Sequence, residues 1–220
     1  MSNMYNFISK TWNPLAGECS HKCSYCYVNN WKKRSLACNA KYSGEPRIHI
    51  PAMKENLGHS KHVFVCSMND LFANDVDSAI IKEIIQRMCK IPNRYLLQTK
   101  NVVRFFEFTH LLPGNVEFVT TIESDIFHPQ MGLAPLPTHR RSNIKDLVPA
   151  SITIEPIMKF SPNFARRIIN TGVLKVNIGA DSKNNNLPEP TVDEIHHLIL
   201  ALKNAGIQVH LKQNLNRIFS

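Results

Sequence analysis

Short apolar runs alternate along the chain with longer segments in which apolar residues recur at helical spacing. Six of the runs are rich in β-branched or aromatic residues and are bounded by turn residues, which is the pattern of buried strands. They are 63–66, 95–97, 116–119, 151–154, 174–178 and 207–211. A further short strand is expected around Phe7 and Ile8.

The segments between these runs have helical periodicity and recognisable ends. Asp77 is expected to cap a helix whose isoleucines and Met88 form one apolar face. Ser161 is expected to cap a second helix, which Gly172 ends in a left-handed conformation. Thr191 and Glu194 have the spacing of a capping box, which predicts the start of a third helix.

Strands that alternate with helices predict a parallel sheet joined by right-handed crossovers. About six to seven strands can be placed, which is fewer than the eight of a closed (β/α) barrel. The sequence therefore predicts an α/β protein with a partial (β/α) barrel, and one domain over residues 1–220. In such folds, ligands bind at the carboxyl ends of the strands.

Composition and charge predict a cellular location and a class of binding partner. Hydrophobic residues make up 43% of the chain and charged residues 20%, as is usual for a soluble globular protein. No run is long enough to span a bilayer, and the N-terminal segment lacks the features of a signal peptide, so a cytoplasmic protein is expected. The formal charge is +9, and residues 1–62 carry nine Lys or Arg against three Asp or Glu. This excess favours an anionic partner, nucleic acid first, although a solvated basic face is the alternative.

Three of the six cysteines crowd into one short loop. Cys19, Cys23 and Cys26 have the spacing C-x3-C-x2-C, whereas the other three are scattered. Disulfides are not expected in the cytoplasm, and thiolates are soft ligands for zinc, copper(I) or iron–sulfur clusters. Three thiolates can hold three irons of a [4Fe–4S] cluster and leave the fourth iron open to a small molecule.

Two other chemistries compete for this loop. A structural zinc site normally has four ligands, so zinc would need His21 or a distant residue besides the three cysteines. A thioredoxin-like C-x2-C pair at Cys23 and Cys26 would leave Cys19 without a role. The cluster interpretation uses all three cysteines.

With Tyr25 before the last cysteine, the loop resembles the C-x3-C-x-aromatic-C signature of the radical S-adenosylmethionine (SAM) superfamily. The runs TWNP, VFVCSMNDLF, LLQTK, TTIES, SITIEP, VNIGAD and VHLKQ resemble, in the same order, a family of phage-encoded radical-SAM-like proteins. That family is distantly similar to spore photoproduct lyase. The resemblance covers nearly the whole chain.

The resemblance implies a specific chemistry. SAM would bind the open iron through its amine and carboxylate, and one electron from the cluster would cleave it to a 5′-deoxyadenosyl radical. That radical would abstract hydrogen from a substrate, while the protein aims it and excludes water. An outside electron donor such as flavodoxin or ferredoxin would be required.

Positions on the strands suggest which residues contact SAM. Ser67, Asn69 and Asp70 stand where the superfamily receives the methionine amine, although the sequence departs from the usual Gly-Gly-Glu. Asp70 could instead cap the following turn. The full set of candidate cofactor contacts is Tyr25, Ser67, Asn69, Asp70, Thr121, Glu123, Ser124, Glu155 and Asn177.

Cys66, Glu155 and Lys212 are the candidate catalytic residues, since each ends a strand. The resemblance implies that Cys66 could return a hydrogen atom to a substrate radical, as a cysteine does in spore photoproduct lyase. Glu155 could instead form a salt bridge with a lysine, and Lys212 could meet a phosphate or extend to solvent.

Arg140 and Arg141 are expected to open a helix and either clamp an anion or remain solvated.

The resulting hypothesis is a radical SAM enzyme acting on a DNA base or modified nucleotide, in phage DNA base modification, rearrangement or repair. The isomerase, lyase and transferase classes all remain open. One alternative is a radical SAM enzyme for a small metabolite or peptide. Another is a non-catalytic zinc or iron–sulfur module that binds nucleic acid.

Overall fold

The computed structural model describes residues 5–141, 144–147 and 150–220. Its strands are β1 Lys10–Trp12, β2 Leu15–Ala16, β3 Arg47–Ile48, β4 His62–Val65, β5 Arg94–Thr99, β6 Val116–Thr121, β7 Ala150–Ile154, β8 Lys175–Ile178 and β9 Gln208–Leu211. Its helices are α1 Tyr27–Arg34, α2 Leu36–Lys41, α3 Ile50–Met53, α4 Ser78–Cys89, α5 Val102–Glu107, α6 Pro137–Arg141, α7 Phe164–Ile169, α8 Val192–Asn204 and α9 Asn216–Phe219. Short 3-10 turns lie at Thr109–Leu111, Pro129–Met131, Ile144–Asp146 and Gln213–Leu215.

Seven strands form one sheet in the order β1-β4-β5-β6-β7-β8-β9. The pairs β1–β4, β4–β5, β7–β8 and β8–β9 are parallel. Strands β2 and β3 form a separate two-stranded antiparallel sheet. This confirms the predicted partial (β/α) barrel class, because each strand after β4 is followed by a helical segment before the next strand begins.

The first strand is not where the sequence pattern placed it. Residues Phe7 and Ile8 lie in a turn closed by a hydrogen bond from the Ile8 amide to the Tyr5 carbonyl (3.2 Å). That bond uses the amide that a sheet ladder would need, although Ile8 itself is buried. The strand begins instead at Lys10, which pairs with Val63 of β4.

Two of the predicted helix starts are confirmed. The Asp77 carboxylate accepts a hydrogen bond from the Ala79 amide (2.7 Å) at the start of α4. The Thr191 side chain and the Glu194 side chain form a complete capping box at the start of α8.

Two other expectations about helix ends were wrong. Ser161 is not the capping residue of α7, because α7 begins at Phe164 and Asn163 holds the position before it. The Ser161 hydroxyl accepts from the Asn163 amide (3.2 Å) in the preceding turn and donates to the Asp125 carboxylate (2.5 Å). Arg140 and Arg141 end helix α6 and do not open a helix.

The chain divides into two compact units. The first unit comprises Met1–Ser20 and Cys26–Phe118, and the second comprises His21–Tyr25 and Val119–Ser220. Aromatic rings fill much of the first unit's core, where Phe105 contacts Phe72 edge-on (4.9 Å between centroids) and Phe118 (4.3 Å). In the second unit, the buried apolar side chains of β7 and β8 and those of α7 and α8 make the core. No helix in the described ranges is long and apolar enough to cross a membrane.

Candidate functional site

The middle of the cysteine loop is bound to the segment 128–134 within the second unit. The Ser24 amide donates to the Gln130 carbonyl (2.9 Å), and the Leu133 amide donates to the His21 carbonyl (2.7 Å). The thiol of Cys23, which is buried, donates to the Met131 carbonyl (3.3 Å). Backbone bonds in both directions therefore fix the path of the loop independently of its side chains.

Gly132 allows this segment to approach the loop closely. A Cβ atom on Gly132 would lie 2.3 Å from the His21 carbonyl oxygen and 2.5 Å from that of Lys22. The residue also has a φ of 64°, a left-handed conformation that L side chains rarely adopt. Both the space and the backbone conformation therefore require glycine here.

Tyr25, Glu123 and Arg140 form a hydrogen-bonded group behind the loop. The Tyr25 hydroxyl donates to one Glu123 carboxylate oxygen, and the Arg140 guanidinium donates to the other. Both charged side chains are fully buried, at 0% exposure. Arg140 also donates to the carbonyls of Pro135 (2.6 Å) and Thr121 (3.2 Å).

This group corrects one expectation and changes the context of another. The prediction that Arg140 is solvated was wrong. Arg140 is the cationic partner of the buried Glu123 carboxylate, and such a carboxylate needs a partner inside the protein. Glu123 uses both of its oxygens to bind Tyr25 and Arg140. Its contact with SAM stays a prediction, and holding Tyr25, the aromatic residue of the cysteine signature, is the role that its bonds define.

The outer cysteines of the loop lie in the first unit. Cys26 occupies the position before helix α1, and its side chain makes no capping hydrogen bond. Cys19 is half-buried and follows Glu18, whose amide donates to the Gly44 carbonyl (2.8 Å). In the part of the chain that the structure describes, no three His, Cys, Asp or Glu side chains gather closely enough to hold a metal ion. The donor set itself, three thiols on one loop, has the chemistry that a [4Fe–4S] cluster requires.

Cys66 follows β4 directly and is buried at 4% exposure. Its φ is 55°, which is unusual for a residue with a side chain, and its amide donates to the Trp12 carbonyl (2.8 Å). Burial raises the pKa of the Cys66 thiol to about 12. The sulfur therefore keeps its hydrogen at neutral pH, which a hydrogen-atom donor needs, while its catalytic role stays a prediction.

Ser67 and Asn69 border the same strand end. The Asn13 side-chain oxygen accepts from the Ser67 hydroxyl (3.2 Å) and the Met68 amide (3.3 Å), so Asn13 orders this turn. The Tyr27 hydroxyl donates to the Ser67 carbonyl (2.6 Å), and burial raises the pKa of Tyr27 to about 12. Asn69 donates to the Leu15 carbonyl (3.4 Å), and its own Oδ1 is buried without a hydrogen-bond partner among the described residues. That oxygen fits an incoming N–H group such as an amine.

Asp70 has a different environment from its neighbour Asn69. One carboxylate oxygen accepts from the Phe72 amide (2.9 Å), and the other accepts from the Thr99 hydroxyl (2.9 Å) and the Lys100 amide (2.8 Å). The turn-capping role that the sequence left open is therefore present. A cofactor contact by Asp70 stays a prediction.

Glu155 and Lys212 form an ion pair at the carboxyl ends of β7 and β9, with 13% and 9% of their side chains exposed. The Asn214 amide donates to the second Glu155 oxygen (2.8 Å). A Cβ atom on Gly179 would lie 2.7 Å from that oxygen, so glycine makes room for the carboxylate. The salt bridge that the sequence offered as the alternative role of Glu155 is thus present, and Lys212 does not extend to solvent.

Polar side chains line one face of β7 and β8. Ser151, Thr153 and Asn177 are buried at 3%, 0% and 1% exposure, on the face opposite the apolar residues that alternate with them. The Asn177 Oδ1 atom has no hydrogen-bond partner within the described ranges. A contact between Asn177 and a cofactor stays a prediction.

Thr121 and Ser124 complete the predicted set. Thr121 is buried and offers its carbonyl to Arg140 (3.2 Å). The Ser124 hydroxyl donates to the Lys159 carbonyl (2.6 Å) and accepts from the Ile126 amide (3.0 Å), so it orders the turn after β6. Their contacts with the cofactor stay predictions.

Comparison with solved structures identifies the fold. A mutant of spore photoproduct lyase matches with a TM-score of 0.61 and 11% identity over 92% of this chain and 76% of that chain. A second mutant, with bound AdoMet and dinucleoside spore photoproduct, matches with a TM-score of 0.60 and 10% identity over 90% and 75%. SuiB of Streptococcus suis bound to S-adenosylmethionine matches with a TM-score of 0.55 and 9% identity over 94% of this chain and 50% of that chain. The chain therefore has the fold that the radical SAM resemblance predicts.

The sequence comparison identifies the family. The model of the family described as a protein of unknown function, DUF5131, matches residues 2–133, and the chain belongs to that family. No curated protein matches the chain. The matched region includes the cysteine loop and ends just after Gly132, so it contains the backbone contacts that hold the loop.

Proposed function

We propose that the chain is a radical SAM enzyme in which Cys19, Cys23 and Cys26 hold a [4Fe–4S] cluster. The observation that carries the proposal is the loop itself: three thiols at the superfamily's spacing, with the middle of the loop fixed by Gly132 and by the Tyr25–Glu123–Arg140 group. When bound, the cluster supplies the electron that cleaves SAM to a 5′-deoxyadenosyl radical, which takes hydrogen from the substrate.

The remaining roles belong to side chains of the protein. In the first unit, Asn69 offers a buried acceptor for the methionine amine, and Cys66 retains a hydrogen atom that it can return. In the second unit, Glu155 and Lys212 supply a fixed pair of opposite charges at the strand ends, where substrates bind in this class of fold. The buried polar face with Asn177 orients the ligand by hydrogen bonds.

The proposed substrate is a DNA base or a modified nucleotide. The charge of +9 favours a polyanionic partner, and one of the similar structures is a lyase complexed with a dinucleoside photoproduct. The proposed setting is the cytoplasm of a bacterial host, with phage DNA base modification, rearrangement or repair as the process and a flavodoxin or ferredoxin as the electron donor. A peptide substrate is the competing proposal, because SuiB is also seen bound to a precursor peptide.

Anaerobic reconstitution tests the cofactor. We expect a brown protein with about four irons per chain that cleaves SAM on reduction. Cys23→Ser should lose the iron and the cleavage, whereas Cys89→Ser, at an exposed cysteine outside the loop, should lose neither. A colourless protein that carries zinc and leaves SAM intact would instead indicate a non-catalytic module.

The substrate class is tested by adding DNA or peptides to the reconstituted enzyme. We expect DNA oligonucleotides to bind with strong salt dependence and to increase SAM cleavage. Deuterium on the substrate base should appear in 5′-deoxyadenosine. Stimulation by peptides alone, with no salt-dependent DNA affinity, would refute the nucleic-acid assignment and leave the cofactor assignment intact.

A further inference from the structure

A cavity of about 480 Å³ lies within the second unit, beside the Glu155–Lys212 pair. Its walls are Asp181, Ser182, Lys183, Asn184, Asn214 and Arg217. Asn214 links the cavity to the ion pair, since it also bonds to Glu155 (2.8 Å). The volume falls within the range of about 300–1,000 Å³ in which proteins hold small organic ligands.

One wall of the cavity carries an acceptor that lacks a donor. The Asn214 Nδ2 group donates to Glu155 Oε1 and to the Ala180 carbonyl (both 2.8 Å), and more weakly to the Ser182 hydroxyl (3.4 Å). These three acceptors fix the orientation of the amide, because the reverse orientation would set its oxygen against a carboxylate and a carbonyl. The Asn214 Oδ1 atom is therefore an acceptor, and it is buried with no hydrogen-bond partner in the described chain. A ligand N–H would satisfy it.

Cations stand at the open side of the same cavity. Lys183 is exposed, and Arg217 is half-exposed with one guanidinium nitrogen bonded to Glu189. The neighbouring carboxylate of Asp181 is occupied by the Lys183 amide (3.0 Å) and by the backbone and side chain of Asn185. Asp181 therefore shapes the loop, and the two cations remain able to meet an anion.

We propose that this cavity binds one nucleoside monophosphate unit of the substrate. An N–H of the base would donate to Asn214 Oδ1, and the phosphate would lie between Lys183 and Arg217. This inference rests on the proposed nucleotide substrate and names the side chains that recognise it. A free amino acid also combines an N–H donor with an anion, but it is much smaller than the cavity.

Calorimetric binding of thymidine monophosphate to the whole protein tests the phosphate contact. We expect the monophosphate to bind at least about tenfold more tightly than thymidine, as a charge-assisted contact requires. Lys183→Gln should remove most of that advantage without changing thymidine affinity. Lys203→Gln, at an exposed lysine of α8 outside the cavity, should leave both affinities unchanged.

The base contact is tested by changing the ligand, so that no folding defect can intervene. 3-Methylthymidine monophosphate lacks the imide N–H and should bind about tenfold more weakly than thymidine monophosphate. Equal affinity for the two nucleotides, or equal affinity of the wild type and Lys183→Gln for the monophosphate, would overturn the proposal. Binding of inorganic phosphate as tight as that of the nucleotide would also overturn it, because the cavity would then recognise only an anion.

The same experiments separate this inference from the proposed function. Nucleotide affinity is measured without SAM cleavage, and SAM cleavage is measured without nucleotide. Cleavage of SAM by a protein that does not bind the nucleotide would overturn the cavity assignment alone. Nucleotide binding by a protein that never cleaves SAM would overturn the radical chemistry and support the nucleotide site.

Discussion

The two units use their buried polar side chains in different ways. In the first unit, buried Asp70 and Asn101 bond mainly to backbone amides and carbonyls and so close turns. In the second, buried carboxylates meet cationic side chains, as in the pairs Glu123–Arg140 and Glu155–Lys212. A polar group that closes a turn fixes the path of the backbone. A charged pair beside acceptors without donors keeps charged and hydrogen-bonding groups in place for a ligand. The first unit thus uses these groups to hold the turns beside Cys66 and Asn69, whereas the second uses them to fix pairs of opposite charge.

Arg140→Met offers the strongest test of this contrast. Removing the cation leaves Glu123 as an uncompensated buried charge, which should lower the free energy of unfolding by about 3–5 kcal/mol. Urea denaturation measures the change. Arg166→Met, at an exposed arginine of α7, should stay within about 0.5 kcal/mol of the wild type.

A double variant makes this test specific. Adding Glu123→Gln to Arg140→Met should recover part of the lost stability, because the buried negative charge disappears with its partner. If the double variant is less stable than either single variant, the pair is not what holds this region together.

Gly132→Ala tests the close contact between the segment 128–134 and the cysteine loop. The left-handed backbone costs about 1–2 kcal/mol for a residue with a Cβ, and the clash with His21 and Lys22 should add about 1–3 kcal/mol. Gly172→Ala separates the two effects, since Gly172 has a φ of 74° but nothing within 4 Å of the added carbon. Thermal unfolding and iron retention should both decline more for Gly132→Ala. Equal losses in the two variants would show that the contact is loose.

Asp70→Asn tests the turn-closing role of the first unit. The amide that replaces the carboxylate keeps one acceptor and weakens the bonds from Thr99 and Lys100, so we expect a loss of about 1–3 kcal/mol. Glu83→Gln on the exposed face of α4 is the control. A stability unchanged by Asp70→Asn, together with weaker SAM binding, would assign Asp70 to the cofactor after all.

The capping box at α8 should give the smallest effect. Thr191→Ala should cost about 1 kcal/mol at neutral pH. Hydrogen bonds from Lys159 and the Thr191 amide hold the pKa of Glu194 below its ordinary value of 4.5. A lowered pKa means that this stabilisation is present above the ordinary pKa and is lost as the pH falls through the lowered one. Unfolding of the wild type and Glu194→Gln should therefore converge in acid, and a gap that persists there would contradict the assignment.

The sequence predicts the strands well because their signal is local. Short apolar runs, rich in β-branched or aromatic residues, mark β4 to β9, and the motif of the cysteine loop is contiguous in the chain. The turn at Phe7 and Ile8 was mistaken for a strand because apolar residues pack in turns as readily as in strands. The turn is closed by one backbone hydrogen bond, from the Ile8 amide to the Tyr5 carbonyl, and the sequence does not reveal this bond.

The roles that the sequence did not predict depend on partners that are distant in the chain. Arg140 and Glu123 are 17 residues apart in the sequence, and Asn214 and Glu155 are 59 residues apart. Neither role can therefore be predicted from adjacent residues. Gly132 and Gly179 did carry a signal, because glycine often occupies positions where the backbone must approach another group closely. Recognising that signal still required knowing which atoms would approach.

The protected thiol of Cys66 has a practical consequence for handling the protein. Alkylating agents and oxidants attack the thiolate, and a pKa of about 12 leaves almost none of it at neutral pH. Mass spectrometry after mild iodoacetamide treatment should therefore find label on exposed Cys89 before any label on Cys66. Air exposure during purification should likewise spare Cys66. A preparation handled in air would then still carry the Cys66 thiol intact.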